Sequence, residues 1–235
     1  RMYLGPFLLM RIVSLNVNHK SHPREIPVGL IRSLDQLKPD IFLLNEFVSG
    51  EQCQAEELIR EFGYETALSE AVRRPSKGWC NQVLIASKFE FLALPMPIDP
   101  PTVSAGTNYL GIDISGITVT AVRAPMYRSA SQWRDYWSWL AQQLKGDLVI
   151  GDLNVDPERL HRRDSVALEC LGVSDWEFGG PEGEWSFKST SGNTSKIDHV
   201  LVKNTLQLKQ VRYVSEPFWS KYTDHAALVV DIATW

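Results

Sequence analysis

The sequence has few cysteines, no long apolar segment and no excess of positive charge. Its three cysteines, Cys53, Cys80 and Cys170, lie far apart and form no CxxC pair. This spacing excludes a disulfide framework and a zinc framework, and it favours a reduced, cytoplasmic protein. The apolar run near the N-terminus is too short to cross a membrane and is interrupted by Gly5-Pro6. We therefore expect no membrane span, and we expect residues 1–9 to be an N-terminal extension.

Charge and composition exclude further classes of protein. The formal net charge is −4, so the chain cannot bind polyanions through overall positive charge, although local contacts with phosphates stay possible. A hydrophobic fraction of 44% and the absence of repeats exclude a fibrous or disordered chain. No linker interrupts the 235 residues. We therefore expect one catalytic domain over residues 10–235 and a monomer.

The hydrophobic pattern predicts an α/β protein in which strands and helices alternate first and strands dominate later. The continuous apolar run at 40–44 is typical of a strand that is buried on both faces. Trp133 and Trp137 share one stripe of a long amphipathic helix. Strands are predicted over 11–17, 40–44, 82–87, 89–94, 109–114, 117–122, 147–151, 197–202, 206–214 and 226–232, and helices over 26–37, 51–62, 129–144 and 164–171.

Polar residues stand at the ends of several predicted strands, where packing does not require them. Taken singly, each has an ordinary interpretation as a turn former, a helix-capping acid or a buried structural histidine. Taken together, they indicate a site, because open α/β sheets build ligand sites where their strands end. The set, in chain order, is Asn16, Asn18, Glu46, Asp152, Asn154, Asp198, Asp224 and His225.

This ordered set resembles the endonuclease/exonuclease/phosphatase superfamily, the family of DNase I, exonuclease III and the abasic-site endonucleases. The resemblance extends from residue 11 to residue 231. It implies a four-layer α/β sandwich, with two mixed β-sheets packed face to face and helices on both outer sides. The matching segments are Leu15-Asn16-Val17-Asn18, Leu44-Asn45-Glu46, Gly151-Asp152-Leu153-Asn154, Ser195-Lys196-Ile197-Asp198-His199-Val200-Leu201-Val202 and Thr223-Asp224-His225.

The resemblance also implies a Mg²⁺-dependent phosphodiesterase, with Mn²⁺ as a possible substitute. Mg²⁺ is a hard cation that prefers oxygen ligands, so the carboxylate of Glu46 and the amide of Asn16 suit it better than histidine or cysteine would. By resemblance, Glu46 is the principal metal ligand, with Asn18 and Asp224 nearby. Asn18 stands where many members carry Asp, a difference that predicts weaker metal binding.

Four residues are predicted to perform the reaction. By resemblance, Asp152 orients or deprotonates the attacking water, and Asn154 helps to hold the water and the phosphate. Alternation along an extended segment would place these two side chains on one face. His225 would bind the phosphoryl oxygens, and Asp198 would orient its ring and favour the imidazolium.

Arg123 is the clearest departure from the family pattern. Nuclease-type members place Tyr at this position, whereas sphingomyelinase-type members place His. The following Ala124-Pro125 is the nuclease-like form. Arg123 is either a phosphate-binding residue, since guanidinium binds phosphate through two hydrogen bonds, or a structural ion-pair residue. Tyr127 lies in the same loop and is expected to adjust the site.

Cations and aromatic residues near the site favour a nucleic acid substrate, DNA or RNA. Such loops bind single-stranded or distorted nucleic acid by backbone attraction and base stacking, although a solvated loop explains the pattern equally well. The leading hypothesis is an endonuclease. The alternatives are a hydrolase of a small phosphoester or phospholipid headgroup, similar to a sphingomyelinase or an inositol phosphatase, and a non-catalytic binding module. The predicted substrate-binding residues, besides Arg123 and Tyr127, are Arg73, Arg74, Lys77, Trp79, Trp185, Phe187 and Trp219.

Overall fold

Strands and helices alternate through a computed structural model of the chain. It describes residues 9–18, 22, 25–49, 53–70, 81–95, 97, 108–126, 129–144, 146–159, 162–172, 176–181 and 183–234. The strands are β1 (Leu9–Asn16), β2 (Ile41–Phe47), β3 (Glu65–Leu68), β4 (Gln82–Ser87), β5 (Leu92–Ala93), β6 (Tyr109–Ile114), β7 (Ile117–Arg123), β8 (Leu148–Asp152), β9 (Glu177–Gly179), β10 (Phe187–Lys188), β11 (Thr194–Ser195), β12 (Asp198–Val202), β13 (Leu206–Val214) and β14 (Ala227–Thr234). The helices are α1 (Val28–Asp35), α2 (Gln54–Glu61), α3 (Ala130–Gln143), α4 (Arg162–Leu171) and α5 (Phe218–Lys221).

Two mixed six-stranded sheets contain most of these strands. The first sheet has the order β13-β14-β1-β2-β4-β3, and the second has the order β5-β6-β7-β8-β12-β9. Each sheet has one parallel pair, β1 with β2 and β7 with β8, and its other pairs are antiparallel. A parallel pair needs a crossover connection. Helices α1 and α3 occupy those two connections.

Three hydrophobic clusters separate four layers of structure. Because neighbouring residues of a strand face opposite sides, β1 directs Ile12 toward the second sheet and Val13 toward α1 and α2. Strand β8 divides its residues in the same way, with Ile150 between the sheets and Val149 against α3 and α4. Helices therefore cover both outer faces of the paired sheets. The predicted four-layer sandwich is confirmed.

The predicted aromatic stripe of α3 packs against the second sheet. Trp133 and Trp137 are fully buried there, with ring centroids 5.7 Å apart in an edge-to-face arrangement. The stripe is therefore part of the core, as the helical spacing predicted. Within the described part of the chain, no helix has the length and apolar content needed to cross a membrane.

Short elements are where the sequence-based prediction was wrong. The predicted strand at 89–94 is reduced to β5, whose Leu92 is 72% exposed at the edge of the second sheet. Strands β3, β9, β10 and β11 and helix α5 were not predicted, because two to four residues are too few for a periodic pattern. The first strand begins at Leu9, one residue inside the predicted N-terminal extension.

The register of the strands brings the predicted site residues to one edge of the molecule. The parallel strands β1 and β2 end side by side, with Asn16 opposite Asn45. In the second sheet, Asp152 at the end of β8 lies between Arg123 of β7 and Asp198 at the start of β12. The carboxyl ends of both parallel pairs therefore supply polar groups to the same site.

Candidate active site

A cavity of about 460 Å³ opens where the strands of the two sheets end. Its lining includes Met126, from the loop after Arg123 that was expected to adjust the site. Asp156, Arg159 and Asp164 also line it and were not predicted, since no predicted strand ends at any of them. Asp198 lies beside the cavity, in contact with a residue that lines it. The predicted site residues in the lining are Asn16, Asn18, Glu46, Arg123, Asp152, Asn154, Phe187, Asp224 and His225.

Asn16 connects the two sheets across the floor of this cavity. Its amide Nδ2 donates to Oδ2 of Asp152 over 2.9 Å and approaches Oε1 of Glu46 at 3.4 Å. Its carbonyl Oδ1 accepts a hydrogen bond of 2.9 Å from the backbone N–H of Asn18. Asn18 in turn donates from Nδ2 to Oδ1 of Asp224 over 2.9 Å. The four predicted metal ligands therefore belong to one hydrogen-bonded network.

The backbone at Glu46 is strained. Its φ is +60°, in the left-handed region that a residue with a long side chain rarely adopts. The pairing of β2 with β4 shifts between Leu44 and Phe47, and this irregularity contains Glu46. The residue is only 7% exposed and lines the cavity. Backbone strain of this kind persists where the surrounding structure enforces it, and it is concentrated at functional sites.

Asp152 and Asn154 converge through a turn. Strand β8 ends at Asp152, and Asn154 has a φ of +52°. The backbone N–H of Asn154 donates to Oδ1 of Asp152 over 3.0 Å, and its Nδ2 lies 3.3 Å from Oδ2. The side chains share one face as predicted, but the reason given, extended alternation, was wrong. The turn itself matches the ordinary interpretation of an Asp-x-Asn sequence.

Gly151 allows β8 to approach β7 closely just before Asp152. Its φ is +143°, and a Cβ at this position would lie 2.1 Å from the backbone oxygen of Val122. The same Cβ would lie 2.8 Å from Nδ2 of Asn45. Any larger residue would therefore push Asp152 away from the cavity.

His225 and Asp198 form a buried pair. Nδ1 of His225 lies 2.8 Å from Oδ2 of Asp198. The backbone N–H of Asp198 donates to Oγ of Ser186 over 3.0 Å, and the Tyr213 hydroxyl donates to its carbonyl over 2.6 Å. The Phe187 ring lies 5.1 Å from the imidazole. With Nδ1 engaged, Nε2 is the ring nitrogen on the ligand side, 3.9 Å from Oδ1 of Asp224 and beyond hydrogen-bond distance.

Burial and neighbouring charge shift two pKa values in the cavity. Burial, reinforced by the negative charge of Asp198, raises the pKa of Asp152 to about 7. Burial alone would lower the pKa of His225, but the attraction of Asp198 and the hydrogen bond that its carboxylate accepts from the ring outweigh burial and raise that pKa to about 9. Near neutral pH, the cavity therefore combines an imidazolium with a carboxyl group that changes charge readily.

Arg123 contacts Glu46. Its Nε and one terminal nitrogen lie 2.9 Å and 2.7 Å from the same carboxylate oxygen, Oε1. The guanidinium also lines the cavity, and its side chain is one-fifth exposed. Arg123 was predicted to be either a phosphate-binding residue or an ion-pair residue. The structure contains the ion pair with Glu46, and the paired guanidinium still lines the cavity.

The remaining predicted substrate-binding residues are spread more widely. Trp185 lies under Arg159, with 5.4 Å between the guanidinium carbon and the ring centroid. Trp219 lines a neighbouring cavity of about 670 Å³, which shares Asn18 and Asp224 with the first. Five further predicted residues fall outside the described ranges: Arg73, Arg74, Lys77, Trp79 and Tyr127.

Buried acids in the loop after β8 were missed by sequence reasoning. Asp156 is 6% exposed, and its Oδ2 accepts a hydrogen bond of 3.1 Å from the backbone N–H of Lys196. Its own N–H donates to Oδ1 of Asp164 over 3.4 Å. These contacts hold the loop against the start of β12. Their only sequence signal is the closeness of Asp156 to Asn154.

The chain is similar to a known protein family and to solved structures of the same fold. The model of the Endonuclease/Exonuclease/phosphatase family matches residues 13–225. An AP endonuclease from Archaeoglobus fulgidus superposes with a TM-score of 0.74 at 19% identity, covering 94% of this chain and 98% of that chain. A 3'-5' exonuclease from Neisseria meningitidis superposes with a TM-score of 0.72 at 18% identity, covering 96% of this chain and 100% of that chain.

A third structure, a Neisseria 3' phosphatase bound to product DNA hairpin, gives a TM-score of 0.67 at 18% identity, covering 94% of this chain and 98% of that chain. A search of curated protein sequences found no match. The solved structures share the fold, and the family match spans the strands that carry the cavity residues. The chain therefore belongs to the endonuclease/exonuclease/phosphatase family and is a phosphoester hydrolase.

Proposed function

We propose that this protein is a Mg²⁺-dependent endonuclease that hydrolyses phosphodiester bonds of DNA or RNA. The proposal rests on the chemical groups that line the main cavity. Oxygen donors at Glu46 and Asp224, the buried carboxyl group of Asp152 and the imidazole of His225 open into one space. A cation site, a base and a positively charged hydrogen-bond donor are the three groups that phosphodiester hydrolysis needs.

The chemistry of the donor set fits magnesium. Within the described ranges, no three His, Cys, Asp or Glu side chains lie close enough together to hold a metal ion by themselves. Mg²⁺ is commonly held by one or two carboxylates and several waters, which is the role proposed for Glu46 and Asp224 with the amides of Asn16 and Asn18. When bound, the cation would supply a Lewis acid that polarises the phosphoryl group.

Three further side chains are proposed to act on the attacking water and on the phosphoryl group. Asp152, anchored by Asn16 and Asn154, is placed to orient the attacking water and accept its proton. Nε2 of His225 is placed to donate a hydrogen bond to a phosphoryl oxygen as negative charge develops there. Asp198 is a positioning residue, because it acts through the His225 ring.

The neighbouring cavity supports a nucleic acid as substrate. Its lining includes Lys188, Lys221 and Trp219, with the Lys188 ammonium 5.9 Å from the Trp219 ring centroid. Trp219 is half-buried, and cations beside an accessible aromatic ring can bind a phosphate backbone and stack a base. The Neisseria 3' phosphatase bound to a DNA hairpin supports the same assignment.

The thiols support the predicted compartment. Cys53 and Cys170, the cysteines within the described residues, are free. Free thiols are typical of a reducing environment, so we propose a cytoplasmic location. We also propose that the protein is a monomer.

The cofactor and substrate can be tested together. With Mg²⁺, we expect cleavage of at least one polynucleotide among plasmid DNA, abasic duplex, single-stranded DNA and RNA, and we expect EDTA to abolish it. Gel electrophoresis of the products measures this cleavage, with bis-p-nitrophenyl phosphate and sphingomyelin as the small-substrate and lipid arms. Activity that survives EDTA would contradict the metal mechanism. Cleavage of lipid and of no polynucleotide would favour the phospholipid alternative.

The pH dependence of the Asp198→Asn variant tests the buried pair. A histidine is charged below its pKa, so the wild-type imidazolium, with a pKa of about 9, persists well above neutrality. Without the carboxylate, burial is opposed only by the weaker attraction of Asp152 and Asp224, so the pKa of His225 falls and the alkaline decline of kcat should move from near pH 9 to lower pH. We would measure kcat from pH 5 to 10 at saturating Mg²⁺. Asp135→Asn, at an exposed position on α3, is the control. If the alkaline decline of kcat in Asp198→Asn stays at the wild-type pH, the proposed role of Asp198 is contradicted.

A further inference from the structure

Glu46, the proposed principal metal ligand, already forms an ion pair with a cationic side chain of the protein, Arg123. Two nitrogens of Arg123 lie 2.9 Å and 2.7 Å from Oε1 of Glu46, and Nδ2 of Asn16 lies 3.4 Å from the same atom. The Glu46 side chain is 9% exposed and that of Arg123 is 20% exposed, so water screens this ion pair weakly. The contact is therefore a specific feature of the cavity and not a transient surface pair.

A metal ion and this guanidinium cannot share the oxygen. A carboxylate oxygen has two lone pairs, and Oε1 already faces three N–H groups. A divalent cation on Oε1 would also lie close to the positive guanidinium in a partly buried site, where repulsion between like charges is strong. Occupation of Oε1 by metal therefore requires Arg123 to leave it.

We propose that Arg123 is an internal counter-ion of Glu46, which a divalent metal displaces, and that the released guanidinium then binds the substrate phosphate. This inference rests on the proposed metal-dependent function. Arg123 ends β7 directly opposite Asp152 of β8, so a small rotation of its long side chain reaches the space beside the proposed base. Guanidinium binds phosphate through two parallel hydrogen bonds, which compensate for the lost contact with Glu46.

The arrangement couples metal and phosphate binding. Without phosphate, the metal must compete with Arg123 for the Glu46 carboxylate, and its affinity is reduced. A phosphate that holds Arg123 leaves Glu46 available, and by thermodynamic linkage the metal strengthens phosphate binding by the same factor. The position occupied by Tyr or His in related enzymes would thus carry a residue that delays metal loading until substrate arrives.

Metal titration of the substrate-free protein tests the proposal. We expect Arg123→Gln to bind Mn²⁺ about tenfold more tightly than wild type, because its neutral amide competes poorly for Glu46. Isothermal titration calorimetry on the full chain measures the dissociation constant. Arg159→Gln is the matched control, since Arg159 lines the same cavity but pairs with Asp156, at 3.6 Å. Its metal affinity should change much less.

Each outcome decides the proposal. Tighter binding by Arg123→Gln alone supports it, whereas equal gains in both variants indicate a general charge effect and overturn it. An unchanged affinity in Arg123→Gln, with a wild type that does bind Mn²⁺, overturns displacement and leaves the metal mechanism intact. No binding by any of the proteins overturns both. If Arg123→Gln does not fold, Arg123→Lys, which cannot make the two-nitrogen contact, should show a smaller gain, and no gain would contradict the proposal.

Discussion

Replacement of Asp152 by Asn is expected to lower kcat by about 10²–10⁴-fold, the usual contribution of a general base. The amide matches the carboxyl group in size but cannot accept the proton of the attacking water. Asn16 and Asn154 donate to both oxygens of Asp152, and the amide oxygen of the variant can accept on one side only. Because the carboxyl group acts on the attacking water, the loss should appear in kcat and leave substrate binding largely intact. Steady-state kinetics on the best polynucleotide substrate measures it.

Stability provides the second readout for Asp152→Asn. A carboxyl group whose pKa rises from 3.8 to about 7 on folding stabilises the fold fully below pH 3.8, and that stabilisation is lost as pH rises through 7. Above pH 7 the wild type contains a buried negative charge that the variant lacks. Relative to wild type, the melting temperature of metal-free Asp152→Asn should therefore rise between pH 5 and pH 8. A variant that is less stable and equally active would contradict the assignment. Asp156→Asn, another buried acid of the same cavity, should retain most of its activity.

Replacement of His225 by Ala is expected to lower kcat by about 10²–10⁴-fold as well, through loss of a charged donor at the phosphoryl oxygen. The alanine would leave Asp198 buried without its partner, at a cost in stability of about 3–5 kcal/mol. His225→Gln retains a side chain that can donate to Asp198 and separates the two effects. Kinetics at a temperature where both variants are folded gives the measurement. A near wild-type rate in either variant would exclude His225 from the reaction.

A matched histidine is available as a control. His199 is also buried, but its Nε2 lies 2.7 Å from the backbone oxygen of Val155 and 3.0 Å from that of Lys196. Burial lowers its pKa, so it is neutral where His225 is charged. We expect His199→Gln to lower stability with little effect on kcat. Equal kinetic losses at the two histidines would indicate a structural effect at both.

The residue types and their positions along the chain were predictable. Hydrophobic runs identified the long strands, and polar residues at their ends identified the cavity, because parallel strands direct their carboxyl ends to one edge. The predicted family and four-layer fold are confirmed. The roles given to Glu46, Asp152 and His225 stay predictions, supported by their placement in one cavity.

Contacts between distant segments could not be predicted in the same way. The strained φ of Glu46 arises from irregular pairing with β4, and the turn at Asp152 depends on where β8 stops pairing with β12. Asp156 is buried where the loop after β8 contacts the segment before β12 and Asp164 of α4. Local sequence patterns report local periodicity, whereas these features depend on partners far away in the chain.

The scarcity of cysteine and of excess positive charge argues, from the sequence alone, against a disulfide framework and against binding of polyanions through overall positive charge. The same sequence determined the α/β class and the chemical groups of the site, since both follow from hydrophobic period and residue type. Only the tertiary structure placed Arg123 on Glu46, across 77 positions of sequence. Electrostatic contacts depend on distance and burial, and these quantities exist only after the two sheets have packed together.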